Sequence, residues 1–393
     1  MKEAFIIDGV RTAVGSFQGG LSPFSSGQLG GMVVKELVKR TGVNPEAIDE
    51  CIMGNVLTGG MGQAPARQAA IYGGLPTKVE CLTINKVCGS GLKAAMLAEQ
   101  AIKSGDAEVI IAGGQESMTN SPYALTKARS GYRMGNGEIV DLMINDGLWD
   151  PYQNGHMGNF ADKCAKEKGF SREEQDKFAI ESYRRAQRAT NEGLFRSEVM
   201  PVEIPQKKGE PMIFDKDEDA FKLKEDKVPT LKPAFNKDGT VTAANASSIN
   251  DGAAATLIVS GEAAKKLGLK PQFKIIAQAS YAEPPEWFTI APAGAIKKAL
   301  KKAGMTKGDI DLWEINEAFA VVTLYAMREI GIDHSIVNVH GGGCSIGHPI
   351  GASGTRILVT LMNAMKHRNA SAGLATLCIG GGEGAALIIE RVR

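Results

Sequence analysis

The chain carries six cysteines, at 51, 81, 88, 164, 344 and 378, and no two of them form a C-x-x-C pair. That spacing excludes the common zinc and dithiol patterns and favours reduced thiols. A cysteine without special context is a small buried hydrophobe. Two have special context. Cys88 lies in Asn85-Lys-Val-Cys-Gly-Ser-Gly91, where an apolar strand gives way to a helix. A thiol there meets the positive end of a helix dipole and unpaired backbone N–H groups, both of which favour thiolate. The flanking glycines leave room for a bulky group on sulfur, so the pattern points to a nucleophile. Cys378 follows an apolar strand and precedes Gly380-Gly-Gly-Glu-Gly384, a turn whose backbone N–H groups can hold an oxyanion. Such a turn can also cradle phosphate, but the Lys-Ser/Thr ending of a P-loop is missing here.

A nucleophile needs a base. His348 sits in Gly341-Gly-Gly-Cys-Ser-Ile-Gly-His-Pro-Ile-Gly-Ala-Ser-Gly354. Held between glycines and followed by proline ahead of a helix start, it reads as a positioned base rather than a packing histidine. Cys344 in the same run reads as packing or backbone support. Asn316-Glu-Ala-Phe-Ala320 opens an apolar helix, and by itself Asn316 reads as an N-cap.

Strands and helices alternate around these residues. Strands are expected at 4–7, 51–56, 80–84 and 108–112, and helices at 29–40 and 92–103, which implies βαβ units in a mostly parallel sheet covered on both faces. The pattern breaks between 121 and 248, where Ser171-Arg-Glu-Glu174 forms a capping box for one strong helix. A long, charged, proline-bearing stretch at 207–232 marks the region as an inserted functional subdomain. The αβ pattern resumes at 253–260. The last third then repeats the first: Ser-Gly, an amphipathic helix, an apolar strand and Gly-Gly-x-Glu occur at 90–116 and again at 353–383, an internal duplication. The domains expected are 1–120 with 249–270, the insertion 121–248, and 271–393.

A length of 393 residues and 43% apolar composition fit a globular chain of two or three domains. A net charge of +1 argues against nucleic acid or an anionic membrane surface as partner. No apolar run is long enough to span a bilayer, and the first residues read as a strand rather than a targeting segment, so a cytoplasmic location is expected.

The four blocks at 85–91, 316–320, 341–354 and 378–384 closely resemble the signature blocks of the thiolase family, in family order and at family-like separations. The resemblance implies two similar αβαβα halves with an inserted loop domain that binds coenzyme A. It implies that His348 takes the Cys88 proton, that the thiolate accepts an acyl group from an acyl-CoA, and that free coenzyme A leaves. It further implies that Cys378 removes a proton from a second acetyl-CoA, that Asn316, through a water, and His348 stabilise the enolate, and that the N–H groups of Cys88 and Gly380 hold the tetrahedral oxyanion. Acyl-CoA molecules are then the substrates, coenzyme A is substrate or product, no further cofactor is required, and a homotetramer is expected.

Within the insertion, Leu148, His156 and Met157 match positions against the pantetheine arm of short-chain members. Phe235, Ala243, Ser247 and Phe319 match pocket-wall positions, and Trp287-Phe288 is expected to cap the acyl pocket. The segment 214–232 departs from many bacterial members, which carry an arginine there. This chain offers only Lys216, Lys222, Lys224, Lys227 and Lys232, none assignable to a phosphate. The runs 155–159 and 242–247 look closest to the mitochondrial acetoacetyl-CoA type. By that likeness, potassium is expected on the carbonyls of Ala243, Ala244 and Ala246, with Tyr183 nearby. The alternatives are a broad-chain 3-ketoacyl-CoA thiolase of β-oxidation, a decarboxylating condensing enzyme, and a redox sensor built on Cys88 and Cys378. The second cysteine in place of a second histidine weighs against the condensing enzyme.

Overall fold

The computed structural model describes residues 2–392. In the first half, β1 (Ala4–Thr12), β2 (Glu50–Gly54), β3 (Glu80–Ile84), β4 (Val109–Ser117) and β5 (Asn250–Ser260) lie in the order β3-β2-β4-β5-β1. In the second, β6 (Phe273–Ala282), β7 (Leu312–Ile315), β8 (Ala372–Ile379) and β9 (Glu383–Arg391) lie in the order β7-β8-β9-β6. Val337 bridges in parallel to Trp313 of β7, the place that the third strand takes in the first half. The two sheets meet where Phe5 and Ile6 of β1 pair with Lys274 and Phe273 of β6.

The sheets are mixed, not mostly parallel. β2 runs parallel to β3 and β4, and β7 to β8, whereas β5 is antiparallel to β1 and β4, and β9 to β6 and β8. The cause is local at β8, which returns at once as β9 through a glycine turn, and a hairpin makes antiparallel neighbours.

Five layers result. α3 (Ser90–Ser104) and α8 (Ser353–His367) fill the space between the sheets, and every residue of α8 from Ser353 to Met365 is buried. Buried polar residues along it find partners, as Thr360 donates to Glu198 at 3.0 Å and Asn363 to the Val359 carbonyl at 3.0 Å, which lets the helix be enclosed. Leu92, Met96, Ile357 and Leu361 pack there on Ile52 and Ile110 of one sheet and Leu377 and Leu387 of the other. α1 (Ser26–Thr41) covers the first sheet from outside, with Val33 and Leu37 beside Ile111 and Leu257. α6 (Ala291–Ala303) covers the second, with Ile296 and Leu300 beside Leu374 and Ile388. Ile110 and Ile111 thus face opposite layers, as the two-residue period of a strand requires.

Between β4 and β5 the chain leaves the sheets. It forms α4 (Met157–Lys168) and α5 (Arg172–Asn191), the latter capped by the Ser171 hydroxyl, which accepts the Glu174 N–H at 3.1 Å. The charged stretch that follows is pinned to the body by Arg11 of β1. Its buried guanidinium donates to Glu198 at 2.7 Å and to both oxygens of Asp217 at 2.7 and 3.0 Å. Removing one partner would leave an uncompensated buried charge, so this anchor is stiff.

Candidate active site

β3 ends at Ile84 and α3 begins at Ser90, so the chain must turn within five residues. Val87 takes φ +45°, a left-handed conformation that β-branched residues rarely adopt. Two side chains hold it there. Asn85 Oδ1 accepts the Val87 N–H at 2.9 Å, while the Ser90 hydroxyl accepts the Lys86 N–H at 2.8 Å and donates to the Val87 carbonyl at 2.7 Å. Backbone strain fixed by its surroundings is a recurrent mark of a functional turn. The next residue is Cys88.

The resting thiol differs from the expectation that the helix terminus favours thiolate. Burial pushes Cys88 up to about 11, and Glu116 adds to the rise. The N–H groups of Gly380 and of Cys88 itself hydrogen-bond the sulfur and pull it only part of the way back. Desolvation of an anion outweighs a dipole here. Cys88 is half-buried, whereas Cys378, the penultimate residue of β8, is fully buried, and its thiol is raised by burial first and by the neighbouring Cys88 second. After it, Gly381 and Gly382 both take φ +88°, a turn open to glycine, which brings the Gly380 N–H back over Cys88.

His348 is buried at the end of the glycine run before α8. Its Nδ1 lies 2.6 Å from the Ser353 hydroxyl, which donates to the Pro349 carbonyl at 2.8 Å. With the serine proton given to that carbonyl, the serine oxygen accepts Nδ1–H, and Nε2 keeps its lone pair. Burial holds the imidazole down to about 3, with Arg356 contributing, so His348 is neutral across the physiological range. Asn316 is no helix cap. α7 (Ala320–Ile330) starts four residues later, and Asn316 stands buried at the end of β7, where its N–H donates to the Thr376 carbonyl at 3.0 Å. Its amide nitrogen lies 3.5 Å from both ring nitrogens of His348. Cys344 is buried, and its thiol donates to the Glu317 carbonyl at 3.6 Å, which fits packing and backbone support.

Cys88, His348, Cys378 and Gly380 open onto one cavity of about 540 Å³. Leu148, His156, Met157, Phe235, Ala243, Ser247, Phe288 and Phe319 line it as well. His156 stacks on Phe235 at 4.7 Å, and its Nδ1 accepts the Gly158 N–H at 3.1 Å, which leaves Nε2–H as a donor. Phe319 meets Phe235 and Phe288 edge-on at 6.1 and 6.3 Å. Trp287 departs from its expected place beside Phe288. It carries the ammonium groups of Lys163 and Lys168 over its ring at 4.8 and 4.6 Å, a cation–π arrangement away from the cavity wall. Ala246 lines the cavity with Ala243, whereas Tyr183 and Ala244 do not.

Sequence reasoning missed Phe17, Met118, Ile249 and Ile350, aliphatic and aromatic wall residues with no chemical signature. It also missed Ser353, although that serine opens a helix inside a motif already singled out. Of the five lysines at 216–232, Lys222 lines the cavity.

The thiolase N-terminal domain family matches residues 4–262 and the thiolase C-terminal domain family matches 269–391. The chain belongs to the thiolase family. It is 53% identical over 392 residues to a protein of Cupriavidus necator named acetyl-CoA acetyltransferase, with both chains covered in full. It is 47% identical over 392 residues to a probable acetyl-CoA acetyltransferase of Escherichia coli, again with both covered in full. Among solved structures, a thiolase of Ascaris suum in complex with coenzyme A superposes with a TM-score of 0.95 at 43% identity, covering all of both chains.

Proposed function

We propose that this thiolase catalyses the reversible condensation of two acetyl-CoA molecules to acetoacetyl-CoA and coenzyme A. The observation that carries the reading is the convergence of Cys88, His348, Cys378 and the Gly380 N–H on one cavity. The names borne by full-length relatives at about half identity support the same substrate.

In the first half-reaction, Cys88 attacks the acetyl-CoA carbonyl as His348 Nε2 takes its proton. A neutral thiol beside a neutral imidazole makes this transfer part of the attack rather than a step completed beforehand. Negative charge on the carbonyl oxygen falls to the N–H groups of Cys88 and Gly380, donors fixed by the turns that carry them. Collapse forms the Cys88 thioester, and the His348 proton leaves with the coenzyme A thiolate. In the second half-reaction, the Cys378 thiol passes its proton to the freed Nε2 of His348, and the resulting thiolate removes a methyl proton from another acetyl-CoA. The buried environment of Cys378 makes its thiolate a strong base. The enolate oxygen is met by the Nε2–H that His348 has gained from Cys378 and, through a water, by Asn316. The carbanion then attacks the acyl carbon on Cys88, and the cysteine leaves as a thiolate that takes the Nε2 proton of His348, which restores both thiols and the neutral imidazole.

Phe288, Phe319 and Met157 crowd the acyl end beside Cys378, which supports a two-carbon acyl group over long chains. Leu148, His156, Phe235, Ala243 and Ser247 wall the approach for the pantetheine arm.

The assembly we infer is a homotetramer. β3 is the outer strand of its sheet, with Leu82 exposed and Ile71 and Tyr72 of the nearby helix Pro65–Tyr72 exposed beside it. The hairpin of Tyr123–Ala124 and Val140–Asp141 carries exposed Leu125, Met134 and Ile139. Two separate apolar surfaces suit a dimer of dimers, and sedimentation would read the mass. Six unpaired cysteines fit a reducing compartment such as the cytoplasm. Potassium would be held by the carbonyls of Ala243, Ala244 and Ala246 with Tyr183. Neutral oxygens suit such a hard cation, and burial raises Tyr183 so that its phenol stays neutral. Bound there, the ion would order the turn that lines the cavity. Equal activity in potassium and sodium at one ionic strength would remove an activating role.

The direct test is thiolysis of acetoacetyl-CoA by coenzyme A, followed by the loss of ketothioester absorbance. Turnover is expected, with 3-ketohexanoyl-CoA a poorer substrate. No turnover by folded protein would overturn the assignment.

A further inference from the structure

A hydrogen-bonded group beside the cavity has no part in the steps above. Asp219, in the short turn Asp219–Phe221, is buried to 8% exposure, and both carboxylate oxygens are occupied. The Ser16 hydroxyl donates to Oδ1 at 2.5 Å, and Lys222 Nζ stands 2.9 Å from the same oxygen. Asn250 Nδ2 donates to Oδ2 at 2.8 Å, and the Ser248 hydroxyl lies 2.7 Å from it. Burial opposes ionisation of Asp219, but hydrogen bonds from Ser16, Ser248, Lys222 and Asn250 outweigh it and hold the carboxyl below its ordinary value.

A carboxylate only accepts, so it selects which end of the Asn250 amide faces it. Nδ2, which the Gly15 carbonyl also accepts at 3.0 Å, points to Asp219. Oδ1 accepts the backbone N–H of His348 at 2.9 Å and lies 2.8 Å from the Ser248 hydroxyl, which bridges it to Asp219. Gly347 makes the approach feasible, because a Cβ there would stand 2.5 Å from the Asn250 side chain. If the amide turned round, two N–H donors would face each other and the His348 backbone would have to move.

We propose that Asp219 is a positioning residue for His348, acting through the amide of Asn250 and tying the base to the cavity wall at Lys222. This rests on His348 being the base of the proposed function. The geometry spans the inserted segment, the start of β5 and the loop before α8, so the base is registered by the element that also bounds the substrate cavity. A base displaced by a fraction of an ångström loses rate without losing substrate affinity.

Asp219→Asn keeps the shape but places an N–H2 group among the donors. The expected result is a loss in kcat of about 10-fold with KM for coenzyme A changed less than about 2-fold. Alkylation of Cys88 by iodoacetamide, read by peptide mass spectrometry, is expected to slow by a similar factor. Asn250→Ser is expected to do the same, and the double variant to be no slower than the slower single one, since both cut one relay. A folded Asp219→Asn with wild-type kcat and alkylation rate would overturn the proposal, as would losses that multiply in the double variant. Should Asp219→Asn not fold, unchanged alkylation in Asn250→Ser would overturn it equally. The alkylation arm needs no acyl-CoA: its loss in the variants, with no thiolysis by the wild type, would sink the assigned function and leave the relay standing.

Discussion

The two helices of the middle layer open in nearly the same way and serve different chemistry. Ser90 begins α3 and Ser353 begins α8. Each hydroxyl donates to a carbonyl shortly before it, Val87 at 2.7 Å and Pro349 at 2.8 Å. Each oxygen then accepts one more group. For Ser90 that group is the Lys86 N–H, and the outcome is the strained turn that presents Cys88. For Ser353 it is Nδ1 of His348, and the outcome is an oriented base. A duplicated helix start has become a clamp for the nucleophile in one half and a tautomer selector in the other. The fold supplies the paired positions, and the residues just before each helix decide what is done with them.

Removing the reactive group of each unit separates them most widely. Cys88→Ala is expected to lower thiolysis by more than about 10³-fold, because no acyl-enzyme can form. His348→Ala is expected to cost about 10² to 10⁴-fold, the range for a general base, with coenzyme A binding nearly retained in titration calorimetry. Ser353→Ala comes next, with a loss of about 10-fold in kcat and a small change in KM, since it frees the tautomer and the ring orientation. Ser90→Ala should show chiefly as stability, a loss of about 1–3 kcal/mol in denaturant unfolding from the stranded Lys86 N–H. If Ser90→Ala and Ser353→Ala gave the same split between rate and stability, the division of labour would be wrong.

The protonation states offer a further check. With the Cys88 thiol near 11 and the imidazole near 3, both neutral forms dominate between those values. The rate of Cys88 alkylation should therefore climb with pH through the neutral range toward about 11. A thiolate–imidazolium pair would instead give a plateau at neutral pH and a fall on the acid side.

The sequence made the candidate reacting groups legible, because Cys88, His348 and Cys378 each sit at an element boundary with glycines close after them, and His348 has one before it as well. Taken alone, Asn316 looks like a cap until β7 is seen to end there, and only the family likeness gave it a part in the site. The sequence overstated parallel pairing, because βαβ alternation does not reveal that β8 returns directly as β9. The wall residues Leu148, His156 and Ser247 were visible through family likeness, not through periodicity. The Asp219 relay was invisible. It depends on contacts between residues 16, 219, 250 and 348, which only the folded chain brings together.

The most direct test of the central claim is to mix the protein with acetyl-CoA alone, quench rapidly and map the acetyl group by peptide mass spectrometry. One acetyl group is expected on Cys88 in the wild type and in Cys378→Ala, with acetoacetyl-CoA formed by the wild type alone. Acetylation of Cys378 instead, or condensation with Cys88 unmodified and replaceable by alanine, would contradict it.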